Sequence, residues 1–194
     1  MSDFKTQKLY DASIDINDDC IYYFVNYMQW AMVKDAPKDS YLRQSTSNLI
    51  SFKNGERKSY GYFRNCINKH LPELENENWL ICSIPSHDQI SPKENNMDNF
   101  LIYCRFSSNM HHVHSLIYRK YATPKKHIGK EYGERTIEKD YDSYILRKDI
   151  NVKGKNIIIF DDITTSGSSM LAARQFLKDN GANKVVCIAL GKTV

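Results

Sequence analysis

The stretch "IIIFDDITTSGSS", residues 157–169, joins an apolar run, two adjacent carboxylates and a loop of hydroxyl side chains around a single glycine. The residues that follow it, "SMLAARQFLKDNG" (169–181), carry apolar side chains at helical spacing and end in a glycine, a common helix stop. This part of the chain therefore predicts a strand, a short loop and a helix in succession.

The predicted loop has the features of an anion-binding site. Backbone N–H groups at a helix N-terminus are unpaired donors that carry a partial positive charge, so they bind phosphate readily. Hydroxyl side chains add donors, and Gly167 removes a Cβ that would keep a phosphate away from the backbone. The residues predicted to bind substrate here are Thr164, Thr165, Ser166, Gly167, Ser168 and Ser169.

The carboxylates of Asp161 and Asp162 would repel that phosphate, so they need another role. One step before the loop, they are placed to accept hydrogen bonds from a polyol attached to the phosphate, such as ribose 5-phosphate. Two alternatives remain open from the residues alone. An acidic pair at a strand end also occurs in metal-binding and phosphoacceptor sites, and a Ser/Thr-rich turn can be a simple helix N-cap. The chain has neither the nucleoside triphosphate motif G-x-x-x-x-G-K-[ST] nor the dinucleotide motif G-x-G-x-x-G.

The second half of the chain alternates short apolar runs with segments of helical spacing, which predicts a parallel sheet flanked by helices. The strand candidates are "WLICSI" (79–84), "VHSLIY" (113–118), "NIIIF" (156–160) and "VVCIAL" (185–190). Further helices are predicted over residues 57–71 and 97–106. The predicted fold class is therefore α/β.

The apolar, tyrosine-rich run "CIYYFVNYMQWAMV" (20–33) lies outside this alternation. We predict a helix over residues 21–33, and an N-terminal helical hood over residues 1–48 that is appended to a core domain of residues 49–194. The run is too short and too rich in tyrosine to span a bilayer, and the chain start has no secretory pattern. A cytoplasmic location with no membrane contact is therefore expected.

The charge and the cysteines of the chain limit which kinds of site it can contain. The chain has 194 residues, five widely spaced cysteines and a formal net charge of +4. An odd number of cysteines without a C-x-x-C pair predicts neither a disulfide framework nor a zinc ribbon. Residues 119–135 hold six basic and two acidic side chains, so the net charge of this segment equals that of the whole chain. It is either a solvated loop or a basic arm over a polyanion, such as a phosphorylated small molecule or nucleic acid.

The histidines of "HHVH" (111–114) invite a metal interpretation, because His112 and His114 would share one face of the predicted strand. Surface or core-edge histidines are the simpler interpretation, since no carboxylate or cysteine stands near at ligand spacing. We predict no metal bound directly by protein ligands.

Residues 157–169 resemble the PRPP-binding segment of the type I phosphoribosyltransferases, where PRPP is 5-phosphoribosyl-1-pyrophosphate. Three weaker segments are similar, in the same order, to ComF-like phosphoribosyltransferases. They are "NLISFKNGERK" (48–58), "ICSIPSHD" (81–88) and "ATPKKHIGKEYGERTIEKDYDSYIL" (122–146). The resemblance covers residues 48–194 and implies a type I phosphoribosyltransferase-like sheet.

The resemblance implies a role for each matching position. Asp161 and Asp162 would be the catalytic residues that hold the ribose 2- and 3-hydroxyls, and the loop after them would hold the 5-phosphate. Ser86 and His87, in "PSHD" (85–88), would belong to the pyrophosphate loop. Lys130 and Arg135 would lie in a flexible loop that closes over the site. Mg²⁺ would be bound mainly through PRPP.

Departures from the family pattern concern the acceptor. The usual N-terminal cysteine zinc module is absent, Glu138 stands where many relatives have Asn, and His87 stands where a basic residue is common. The expected function is an enzyme that transfers or releases a phosphoribosyl group. The alternative is a non-catalytic PRPP sensor that acts with a protein or nucleic-acid partner, because similar proteins occur in DNA-uptake systems and with retron reverse transcriptases. Type I relatives are often dimers, so the resemblance also suggests a homodimer.

Overall fold

The computed structural model of the protein describes residues 5–9, 16–17, 20–71, 77–123 and 136–194. Within them, six parallel strands form the main sheet in the order β1-β2-β8-β7-β3-β4. These strands are β1 (Lys5–Lys8), β2 (Cys20–Tyr27), β3 (Trp79–Ser83), β4 (Met110–His112), β7 (Asn156–Thr164) and β8 (Lys184–Thr193). The short strands β5 (Ile117–Arg119) and β6 (Tyr144–Leu146) pair antiparallel as a second sheet.

Helices cover both faces of the main sheet. They are α1 (Trp30–Val33), α2 (Tyr41–Lys53), α3 (Arg57–His70), α4 (Asn96–Cys104), α5 (Ile137–Ser143) and α6 (Ser168–Asp179). Alternate residues of β7 serve the two cores, since Ile158 packs with residues of α2, α3 and α4, whereas Ile157 packs with residues of α6. The predicted α/β class, a parallel sheet flanked by helices, is confirmed.

Most of the predicted elements appear close to their expected bounds. Strands form at 79–83, 156–164 and 184–193, and helices form at 57–70, 96–104 and 168–179. The central strands β7 and β8 contain continuous apolar runs, at 157–160 and 185–190, as expected for strands that are covered on both faces. No helix in the described part of the chain is long and apolar enough to cross a bilayer. All five cysteines are free thiols, and four of them are buried.

The helix predicted over residues 21–33 is wrong for most of its length. Residues 20–27 form β2, which pairs in parallel with β8, and only residues 30–33 of the predicted range are helical. Ile21, Tyr22, Phe24 and Val25 are β-branched or aromatic, and all four are buried. The predicted helical hood is therefore corrected, since residues before Asn48 supply strands of the main sheet as well as helical segments.

The single strand predicted over residues 113–118 is also wrong. The chain leaves the main sheet after His112, and the next strand begins at Ile117 in the second sheet. Ser115 adopts a left-handed backbone with φ 49°, and its buried hydroxyl donates to the carbonyl of Lys93 at 2.8 Å. A left-handed residue cannot continue an extended strand, so the apolar run is divided.

Candidate functional site

The carboxyl ends of β3 and β7 bring two predicted loops to one edge of the sheet. These neighbouring strands are parallel, and the first residue after β3, Ile84, donates its N–H to the carbonyl of Phe160 at 2.9 Å. The loop after β3 therefore starts beside the acidic end of β7. In open parallel sheets, this edge is where ligands bind.

Asp161 and Asp162 lie inside β7, and both are half-buried. The Oδ1 atom of Asp161 accepts the backbone N–H of Asp162 at 2.8 Å. An Oδ2 atom of Asp162 lies 3.5 Å from the Nζ atom of Lys53, at the end of α2. More than a third of each of these two side chains is exposed, so solvent screens their attraction. Lys53 was not among the predicted site residues, although it stands inside the segment 48–58 that resembles ComF-like proteins.

The loop between β7 and α6 turns at Gly167. This residue has φ 78° and is the N-cap of α6, and its carbonyl accepts the N–H of Leu171 at 2.9 Å. A Cβ at this position would lie 2.4 Å from the Cδ1 atom of Ile21 in β2. The positive φ therefore favours glycine here, and any larger residue would also have to displace the side chain of Ile21.

The hydroxyl groups of the loop fall into two sets. Thr165 and Ser166 are exposed; the Thr165 hydroxyl lies 2.9 Å from that of Thr193, and the Ser166 hydroxyl lies 2.6 Å from that of Ser168. Thr164 and Ser169 are buried, and the Ser169 hydroxyl donates to Asp140 at 3.1 Å. The side chain of Ser169 therefore points into the protein, where it binds Asp140.

Ser86 and His87 occupy the loop after β3. The Ser86 hydroxyl donates to Asp88 at 2.8 Å, and the backbone N–H of Ser86 donates to the side chain of Gln89 at 3.2 Å. The Nδ1 atom of His87 lies 3.6 Å from Asp88. Ser86 and Asp88 are exposed while Gln89 is buried, so the loop presents a polar surface at the sheet edge.

Lys130 and Arg135 lie outside the described residues, but the chain that leads to them is placed. Thr123, the last described residue before them, donates its N–H to the carbonyl of His87 at 2.7 Å. Thr136 caps α5 on the other side, where its hydroxyl accepts the N–H of Lys139 at 3.3 Å. The described start of the basic segment, residues 119–123, therefore lies against the loop after β3.

His112 and His114, which were predicted to share a strand face, have different partners. The Nε2 atom of His112 lies 3.2 Å from the buried carboxylate of Asp98, whereas His114 contacts Arg147 beyond the end of β4. Where side chains are described, no cluster of three potential metal ligands occurs.

Sequence reasoning missed a buried ion pair beside the two loops. Arg119 and Asp140 are completely buried, and the guanidinium Nη1 atom lies 2.9 Å from the carboxylate Oδ1 atom. The basic composition of residues 119–135 is typical of a solvated loop or of a basic arm over a polyanion, and no local pattern distinguishes Arg119 from its exposed neighbour Lys120.

Comparisons with known proteins match part of this chain. Residues 119–192 match the family model for the phosphoribosyl transferase domain. The chain is 38% identical over 53 residues to an adenine phosphoribosyltransferase of Corynebacterium kroppenstedtii, a match that covers 27% of this chain and 26% of that protein. It is 33% identical over 64 residues to a ribose-phosphate pyrophosphokinase of Pyrococcus abyssi, covering 32% and 22% respectively.

In these matches the chain spans about a quarter of the length of the curated relatives. The family match contains both aspartates and the whole loop between β7 and α6. It supports the type I phosphoribosyltransferase resemblance, whereas the ComF-like resemblance stays a prediction. Residues 119–192 are therefore similar to phosphoribosyl transferase domains, and they sit on the α/β sheet which that resemblance implied.

Proposed function

We propose that the protein binds PRPP together with Mg²⁺ and transfers or releases its phosphoribosyl group. The observation that carries this proposal is the end of β7, where two half-buried carboxylates precede a glycine-turned loop at the N-terminus of a twelve-residue helix. The names of both curated relatives refer to a phosphorylated ribose, which agrees with the same ligand class.

Each part of the ligand has a chemically suitable neighbour. The 5-phosphate would be bound by the backbone N–H groups at the start of α6 and by the exposed hydroxyls of Thr165 and Ser166. The ribose hydroxyls would donate to Asp161 and Asp162. The pyrophosphate would lie along the loop of Ser86 and His87, and Lys130 and Arg135 would cover it from the basic segment.

The donor set also suits Mg²⁺. This ion prefers oxygen ligands, and proteins commonly bind it through one or two carboxylates together with substrate phosphates. Because Asp161 and Asp162 would accept from the ribose hydroxyls, the oxygens of PRPP would be the main ligands of the ion. Bound there, the ion would neutralise charge on the leaving pyrophosphate.

The chain's own contribution is positioning and electrostatics. Loss of pyrophosphate leaves positive charge on the ribose ring, and the carboxylates of Asp161 and Asp162 would stabilise that charge where it develops. Lys53 lies 3.5 Å from Asp162 and would limit the repulsion between the two acids when the site is empty. We include the ComF-like assignment of residues 48–58 in the proposal, because this contact brings that segment to the acidic pair.

The test is calorimetric titration of PRPP with Mg²⁺ into the wild-type protein and into Asp161→Asn and Asp162→Asn. We expect both substitutions to weaken binding by about tenfold or more, the usual effect of losing a charge-assisted hydrogen bond. Asp179→Asn is a matched control, since Asp179 is the last residue of α6, at the opposite end from the loop. Failure of the wild-type protein to bind PRPP would overturn the proposal.

A second measurement separates transfer from sensing. Release of pyrophosphate from PRPP, with candidate nitrogen acceptors or with water alone, would establish turnover. Tight binding without release would instead favour the PRPP-sensing alternative, with a protein, nucleic-acid or reverse-transcriptase partner to be sought by co-purification.

A further inference from the structure

The buried ion pair of Arg119 and Asp140 joins the two ends of the basic segment. Arg119 is the last residue of β5 and the first residue of the segment, and Asp140 is in α5, which follows the segment. Both side chains are inaccessible to solvent, and the guanidinium lies over the ring of Tyr144 at 5.0 Å. Removing two charges from water is costly, so a pair of this kind stabilises a structure only when its other hydrogen bonds are also satisfied.

On one side, Arg119 holds the backbone of the loop after β3. Its Nε atom donates to the carbonyl of Ser86 at 2.9 Å, and its Nη2 atom lies 3.4 Å from the carbonyl of Pro85. Its backbone N–H donates to the carbonyl of Gln89 at 2.9 Å. The guanidinium and the strand end therefore bind three carbonyls of one short loop.

This arrangement also orients a donor. In a planar trans peptide the C=O and the following N–H point in opposite directions. Because the carbonyl of Ser86 points inward to Arg119, the N–H of His87 in the same peptide points away from the guanidinium. The outer side of this loop is where the pyrophosphate of PRPP would lie, so Arg119 fixes a backbone donor toward that ligand.

On the other side, Asp140 connects the pair to the start of α6. Its Oδ2 atom accepts the hydroxyl of Ser169 at 3.1 Å, while its Oδ1 atom accepts from Arg119 at 2.9 Å. Tyr144 adds a second link, because its hydroxyl donates to the carbonyl of Ser169 at 3.1 Å. One continuous set of buried hydrogen bonds thus runs from the first turn of α6 to the loop after β3.

We propose that Arg119 is a positioning residue that, through Asp140, sets the pyrophosphate loop relative to the phosphate loop at α6. The proposal rests on the function proposed above. Arginine suits this role because its planar guanidinium donates in several fixed directions at once, which the point charge of lysine does not. Arg119 itself touches no part of the ligand.

The test compares ligands that fill different parts of the site. The affinities of ribose 5-phosphate, inorganic pyrophosphate and PRPP, each with Mg²⁺, are measured by calorimetry for the wild-type protein and for Arg119→Lys. We expect the dissociation constants of pyrophosphate and PRPP to rise about tenfold, within the usual range of coupling between sites. The dissociation constant of ribose 5-phosphate should change by less than about twofold, because α6 keeps its N–H groups.

Asp140→Asn is the second variant, since it keeps the side-chain shape and one acceptor while removing the charge that holds Arg119. It should weaken the binding of pyrophosphate and PRPP but not that of ribose 5-phosphate, and it keeps the proposal testable if Arg119→Lys does not fold. The matched control is Arg147→Lys. Arg147 directly follows β6 and binds the carbonyl of His114, but it lies outside this set of hydrogen bonds.

The outcomes separate the two proposals. A wild-type protein that does not bind PRPP overturns the proposed function and this inference with it. If the wild-type protein binds PRPP and the folded variants bind all three ligands as tightly as the wild-type protein does, only the inference is overturned. Equal weakening of all three ligands also overturns it, because that pattern reports general damage to the fold.

Discussion

Two completely buried carboxylates flank the loop after β3, and they are stabilised in different ways. Asp140 faces the guanidinium of Arg119, which is itself bound to Ser86. Asp98 faces neutral donors instead, with the hydroxyl of Ser83 at 3.0 Å and the backbone N–H of Asn95 at 3.1 Å, beside His112 at 3.2 Å. The same functional group is thus held once by a permanent charge from another strand and once mainly by uncharged donors from β3 and from the start of its own helix.

The difference separates local stability from long-range coupling. Asp98 completes a capping box at the start of α4, where its side chain and that of Asn95 each accept a backbone N–H of the other residue. In α5 the cap is Thr136, so Asp140 has no capping role and is available to join two loops. We infer that Asp98 serves mainly the fold, whereas Asp140 also serves the site.

The largest effect should come from removing the partner of each carboxylate. Arg119→Met leaves Asp140 buried without a cation, and we expect a loss of about 3–5 kcal/mol in the free energy of unfolding. His112→Leu leaves Asp98 with Ser83 and the helix cap, so a loss of about 1–2 kcal/mol is expected. Urea denaturation measures both. Equal losses would show that the two carboxylates are held in the same way, and Arg147→Met at an exposed pair is the control.

A smaller effect should distinguish the caps of the two helices. Asn95→Ala removes one half of a reciprocal capping box and should cost about 1–2 kcal/mol of unfolding free energy. Thr136→Ala removes a single, longer hydrogen bond at the start of α5 and should cost less, about 0.5 kcal/mol. If Thr136→Ala lowered the free energy of unfolding more than Asn95→Ala, the capping box would not be the main source of local stability around Asp98.

The smallest effect concerns alkaline pH. Burial raises the pKa of Cys66 in α3 to about 11 and that of Cys104 in α4 to about 12. Since an unfolded thiol has a pKa of about 8.5, the folded state binds more protons above that pH, and stability must fall as the pH rises toward these values. Both thiols belong to the helices on the Asp98 side of the sheet.

The urea midpoint of unfolding should therefore be lower at about pH 10 than at about pH 8. Cys66→Ala should make the decrease smaller, because the variant lacks this thiol. Since Cys66 is only half-buried, the substitution should leave little cavity. An unchanged decrease in that variant would mean that the alkaline sensitivity comes from other groups. Buried Cys82 adds to the effect in the same direction, since burial and then the charge of Asp98 raise its pKa.

The sequence predicted β7, α6 and β8 because each is determined locally. An apolar run covered on both faces, a glycine turn and an apolar helical stripe are visible within 40 residues. The acidic pair and the loop could be located for the same reason. Gly167 was also singled out, but the structure adds a second reason for it, the contact with Ile21.

Other features depend on partners that lie far away along the chain. The run 20–33 contains enough apolar residues for a helix, and only pairing with β8 decides that its first part is a strand. Arg119 belongs to a basic segment, and its burial depends on Pro85, Ser86 and Asp140. Lys53 reaches Asp162 only because α2 ends above the carboxyl edge of the sheet. No short pattern encodes such contacts.

The place of β2 in the sheet has a consequence for synthesis of the chain. Its neighbours are β1 and β8, and Ile21 pairs with Cys187, 166 residues later. Contacts between distant residues slow folding, because a long loop must close before they form. On a ribosome, β2 cannot pair with β8 until residues 184–193 have been made, so its apolar faces stay exposed until then and are where we expect a chaperone to bind.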